Sequence, residues 1–110
     1  MKKLLIAMVL LWPFAAAHEA SAASEKIRAV SNAGISCDGP LPPRITRRFV
    51  NHAKRACEGR VKCSVRATYA AGARRLARYA CTDFYVVARC GFANREFRSK
   101  RIKGKLRVSC

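Results

Sequence analysis

The stretch CEGRVKCSVRA, residues 57–67, is where one periodicity gives way to another. Ahead of it, ITRRFVNHAKRACEG (45–59) puts Ile45, Phe49, Val50, Ala53 and Cys57 near i, i+4, i+8 and i+12. That spacing makes one apolar helix face. Thr46 is the expected N-cap and Gly59 the stop, so the main helix is expected over about 46–58. Behind it, KCSVRATY (62–69) alternates. Cys63, Val65, Ala67 and Tyr69 point one way, and Lys62, Ser64, Arg66 and Thr68 the other, as in a half-buried strand. A bond between Cys57 and Cys63 is possible. Bonds from each to a distant strand are preferred, because closing a longer loop removes more entropy from the unfolded chain.

Toward the N-terminus, KIRAVSNAG carries Ile27, Ala29 and Val30 among polar residues, a first strand ending at Gly34. CDGPLPPR (37–44) is loop chemistry. Toward the C-terminus, AAGARRLARYAC (70–81) reads as a loop or one short helical turn. DFYVVARCG (83–91) is aromatic and β-branched with apolar groups on both faces, which marks a central strand. The tail 95–110 reads as an edge strand or hairpin. In it Arg101, Lys103, Lys105 and Arg107 share one face and Ile102, Leu106 and Val108 the other. The expected architecture is α+β: an antiparallel sheet of four to five strands with one main helix.

The chain opens MKKLLIAMVLLWPFAAAHEASA. Lys2 and Lys3, an apolar run over Leu4–Ala17 and small residues after it have the order of a secretory signal peptide over 1–22, cleaved after Ala22. The run is short of the roughly 20 residues that a bilayer span needs. Residues 23–110 then form one domain with no transmembrane span, placed in the periplasm or outside the cell.

All six cysteines, Cys37, Cys57, Cys63, Cys81, Cys90 and Cys110, fall in 23–110. An even count in a small exported chain predicts three disulfides, with 15 connectivities open to the sequence. Zinc would call for a Cys-x-x-Cys or a His pair. Neither occurs, and His52 is the one histidine of 23–110. No metal and no cofactor are expected.

The chain holds 23 Lys+Arg against 6 Asp+Glu. Setting aside Lys2, Lys3 and Glu19 leaves 21 basic and 5 acidic residues, a net charge of +16 on residues 23–110. Such a chain is drawn to polyanions: acidic glycans, lipopolysaccharide, anionic phospholipid or nucleic acid. The candidate polyanion face is Arg74, Arg75, Arg78, Arg98, Arg101, Lys103, Lys105 and Arg107, with Arg95 and Lys100 beside it in the tail. Arginine forks pair bidentately with phosphate, sulfate and carboxylate. Tyr69, Tyr79, Phe92 and Phe97 lie near these residues in sequence and offer stacking surfaces.

No catalytic constellation stands out in the chain. Two flanking carboxylates, a nucleophile elbow and a phosphate loop are all missing from the sequence. His52 and Glu58, six apart on a helix, stand about 240° from each other around the axis and do not converge. His52 is expected at the surface, and the chain is read as a non-enzyme and a monomer.

The segment CEGRVKCSVRA, the strand DFYVVARC and the closing VSC resemble the sea-urchin-egg-lectin (SUEL) type of galactose/rhamnose-binding lectin domain, in a compact bacterial secreted version. The resemblance covers about residues 26–110. It implies three bridges: Cys37–Cys110, Cys57–Cys90 and Cys63–Cys81. The family's Tyr-Gly-Arg and Asp-Pro-Cys sugar turns are replaced here by SNAGIS (31–36) and RYAC (78–81). The expectation is therefore a lectin-like module for anionic glycans or other polyanions. The alternative is a cationic effector or inhibitor acting on a protein partner or an anionic membrane.

Overall fold

A computed structural model describes residues 25–110. The signal-peptide reading of residues 1–22 lies outside the described residues. The chain runs β1 (Ile27–Cys37), α1 (Pro43–Cys57), β2 (Lys62–Val65), a 3-10 turn (Ala67–Tyr69), α2 (Ala73–Arg78), β3 (Cys81–Cys90), β4 (Ala93–Ser99) and β5 (Leu106–Ser109). All strand pairs are antiparallel, and the domain is α+β as expected. The five strands divide into a three-stranded sheet, β1-β3-β4, and a two-stranded ribbon, β2-β5.

Helix α1 begins at Pro43, three residues ahead of the expected start. Proline suits the first helical position, where its missing N–H costs nothing. Pro42 is held extended by the proline after it and takes the cap position in place of Thr46. Ile45, Phe49, Ala53 and Cys57 are each fully buried, so the apolar face expected from the sequence is the face that packs. Phe49 meets Phe84 of β3 edge-to-face at 5.7 Å between ring centres. This contact pins the helix to the middle strand. Past the helix Gly59 adopts φ +83, and its N–H donates to the Ile27 carbonyl. The Glu58 carboxylate accepts the Val30 N–H at 3.0 Å. The helix exit is thereby tied to the start of β1.

Strand β2 stops at Val65, where sequence alternation carries on to Tyr69. Its partner β5 begins opposite, at Leu106. Beyond that point the backbone has no ladder partner, and Ala67–Tyr69 closes into a 3-10 turn instead. The tail differs in a similar way. Gly104 N–H donates to the Arg101 carbonyl in a turn, so strand alternation holds only from Leu106 onward. Arg101 and Lys103 sit in that turn rather than on a strand face.

The disulfides are Cys37–Cys81, Cys57–Cys63 and Cys90–Cys110. None of the pairs implied by the lectin resemblance forms. Cys37 is the ladder partner of Cys81 at one end of β3, and Cys90 is bonded to Cys110 at the other. The two ends of β3 are about 30 Å apart at the usual rise of a strand, so neither Cys37–Cys110 nor Cys63–Cys81 can close. Cys57 and Cys63 meet across the Gly59 turn, with 5.1 Å between their Cα atoms. The stretch 57–67 is one local staple, not two long ones.

Candidate functional site

The β2–β5 ribbon is two-faced. Cys63 pairs with Val108 and Val65 with Leu106, and these four side chains turn to the core. Lys62 pairs with Ser109 and Ser64 with Arg107, and these four are exposed on the other face. The strand period of two dictates this split. With Lys105, they line an open concavity of about 540 Å³, together with parts of Cys63 and Val108. Three cations and two hydroxyls therefore surround one hollow, and among the described residues no carboxylate lines it. Ammonium, guanidinium and serine O–H groups all donate hydrogen bonds to phosphate, sulfate or carboxylate oxygens.

Of the cations singled out in the sequence, Lys105 and Arg107 meet in this hollow. Arg101 and Lys103 are exposed in the preceding turn. Arg74, Arg75 and Arg78 are exposed on α2, whose Leu76 is buried and which packs against β3. Arg98 is on a different surface, the outer face of the three-stranded sheet. Its guanidinium pairs with Asp83, lies 3.4 Å from Glu96 and stacks 5.0 Å from the centre of the Tyr85 ring. Arg98 is thus already engaged inside the fold. Tyr85 in turn covers Gly34, where any Cβ would come within 2.7 Å of the phenol oxygen. The eight sequence candidates occupy several elements, not one face.

Lys62, Ser64 and Ser109 are not among the sequence candidates. The alternation of KCSV does place Lys62 and Ser64 on one outward face. What the sequence lacks is the pairing of β2 with β5, which puts Arg107 across from Ser64.

No family model matches this chain, and neither the curated proteins nor the solved structures contain a match.

The aromatic candidates separate by exposure. Tyr79 and Phe97 pack against the core. Tyr69 is 66% exposed and meets His52 edge-on at 4.6 Å, and Phe92 is 95% exposed. His52 is half-buried rather than fully at the surface. Its Nε2 faces the Arg66 N–H at 3.5 Å, an arrangement that suits a neutral ring. Burial first, and the nearby Arg55 charge second, lower its pKa below the ordinary histidine value. Glu58, six residues further along, is occupied by the Val30 backbone N–H. Among the described residues no group of three His, Cys, Asp or Glu is placed to hold a metal ion, and no helix is long and apolar enough to cross a membrane.

Proposed function

We propose that this protein is an exported, lectin-like binding module for anionic glycans or related polyanions at a cell envelope or host surface, carried by the β2–β5 ribbon. The supporting observation is the hollow lined by Lys62, Lys105, Arg107, Ser64 and Ser109 with no acid among them. The surrounding charge strengthens it. Of the 21 Lys and Arg residues in 25–110, only Arg98 lies within ion-pair distance of a carboxylate among the described residues. The rest are uncompensated and raise the local concentration of any polyanion. Export rests on the N-terminal segment together with three disulfides in a small chain. The lectin part of the reading rests on the Cys57–Ala67 resemblance. It concerns acidic sugars, because the family's two neutral-sugar turns are replaced.

The test is a glycan array at low and physiological salt, carrying neutral rhamnose and galactose beside sulfated and phosphorylated sugars. Binding confined to the acidic glycans, weakening steeply with salt and lost in a Lys62→Ala, Lys105→Ala, Arg107→Ala variant, is the expected result. Salt-resistant binding to a neutral sugar would move function to a lectin pocket elsewhere. A blank array at low salt would end the polyanion reading and favour the protein-partner alternative.

A further inference from the structure

We infer that the end of the molecule built from Val61 and the Gly91–Phe92 hairpin tip docks on an anionic phospholipid surface. The large exposed hydrophobics among the described residues are Val61, Tyr69 and Phe92. Tyr69 has a partner in the His52 ring. Val61 and Phe92 are brought to one end by several independent links. Cys90 and Ala93 face each other across the β3–β4 turn, so Gly91 and Phe92 form its tip. Cys90 is bonded to Cys110, which follows Ser109, and Ser109 pairs with Lys62, the neighbour of Val61. Ile27 pairs with Cys90, and its N–H donates to the carbonyl of Arg60, on the other side of Val61.

Lys26, Arg60, Lys62, Arg89 and Arg95 are exposed on these same segments. Glu25 and Glu58 are acids on these segments: the Glu25 carboxylate lies where a Cβ on Gly91 would come within 2.9 Å of Oε2, and the Glu58 carboxylate accepts the Val30 N–H. The surface is therefore strongly cationic with an aromatic ring standing out of it. The turn itself does not explain that ring. Gly91, at φ +64 in the first tip position, meets the backbone demand, and the second tip position, where φ is not positive, asks for no particular side chain. At 95% exposure the ring adds nothing to the core.

A lipid surface fits better than a protein here. A stable protein interface buries upward of about 1,000 Å² around an apolar centre, and two separate side chains cannot supply one. An interfacial membrane contact needs only an inserted ring and cations at headgroup level. Each cation near such a surface strengthens binding roughly fivefold, and burying the ring adds about tenfold or more. This inference does not rest on the ribbon hollow, with which it shares only Lys62.

Trp12 is the only tryptophan of the chain. In the oxidised chain from Ala23, which keeps all three bridges and every core residue among the described residues, Phe92→Trp is then the sole indole. Its emission is expected to shift to the blue with vesicles of equal parts phosphatidylcholine and phosphatidylglycerol, and to stay unchanged with phosphatidylcholine alone. Phe92→Ser should bind the anionic vesicles about tenfold more weakly, with heparin affinity and Tm unchanged. Vesicle binding without a blue shift, or a Ser variant that binds as tightly as the parent, would overturn the inference. Loss of heparin binding in Phe92→Ser would do so too, by assigning the ring to a glycan. The glycan reading stands or falls separately, on the ribbon variant.

Discussion

Arg98 is paired with Asp83 across the β3–β4 ladder, and its guanidinium lies over the ring of Tyr85, its directly opposite neighbour. A cation held this way has less to give a ligand than a free one. Arg98→Ala should leave heparin affinity within about twofold, while Arg107→Ala should cost about 1 kcal/mol, roughly fivefold. Isothermal titration of both variants with a heparin oligosaccharide decides it. Equal losses would put the outer sheet face, not the ribbon, at the binding surface.

The same cluster sets an acid limb of stability. A hydrogen bond of 2.7 Å from the Thr82 hydroxyl is the main cause holding the Asp83 carboxyl below its ordinary value of 3.8, with Arg98 adding to it against the opposing effect of burial. A carboxylate with a lowered folded-state pKa adds stability above its unfolded value, and that stability is lost as pH falls through the folded one. Asp83→Asn should therefore flatten the dependence of Tm on pH below about 4. An unchanged acid limb in the Asn variant would show that another group controls it.

His52 acts in a higher window. Its pKa is lowered, so the folded state binds fewer protons than the unfolded one below the ordinary value of 6.5. Stability is complete above that value and declines as pH drops through the folded pKa. Protonation would also remove the acceptor that Nε2 offers Arg66. Tm measured from neutral pH to about 5 should fall for the native chain and much less for His52→Gln. A parallel fall in both would rule His52 out as the cause.

The three bridges should differ in value. Their sequence separations are 6, 20 and 44 residues for Cys57–Cys63, Cys90–Cys110 and Cys37–Cys81. Loop closure alone predicts about 2, 3 and 4 kcal/mol in that order. Paired Cys→Ala variants compared by denaturant unfolding should rank the same way. A largest loss at Cys57/Cys63 would show that burial of Cys57 in the core outweighs the loop term.

The helix face and the middle strand are legible in the amino-acid sequence. Ile45, Phe49, Ala53 and Cys57 repeat with the helix period, and the aromatic and β-branched run of DFYVVARC marks the central strand, paired along both edges by β1 and β4. These are local signals, fixed by the geometry of a single element. The early start of α1 is also written locally, in Pro42-Pro43, although Thr46 is the more obvious cap. Where a segment depends on a partner, local signals fail. KCSVRATY alternates to Tyr69, yet the strand ends at Val65 because β5 begins at Leu106. Ala80 shows the same limit: it sits at φ +54 between α2 and β3, in a conformation its own side chain disfavours.

The amount of charge, the number of staples, one apolar helix face and the α+β class all follow from counts and periods along the chain. None of these depends on distant contacts. Which cysteines meet is a property of the folded chain, because Cys81 and Cys90 are carried to opposite ends of β3. Folding also sets Lys62 and Ser64 against Arg107 and Ser109, because β2 pairs with β5 and not with the larger sheet. And it engages Arg98 with Asp83 while leaving Arg107 free, since side chains fifteen residues apart become neighbours only when β3 and β4 form one ladder.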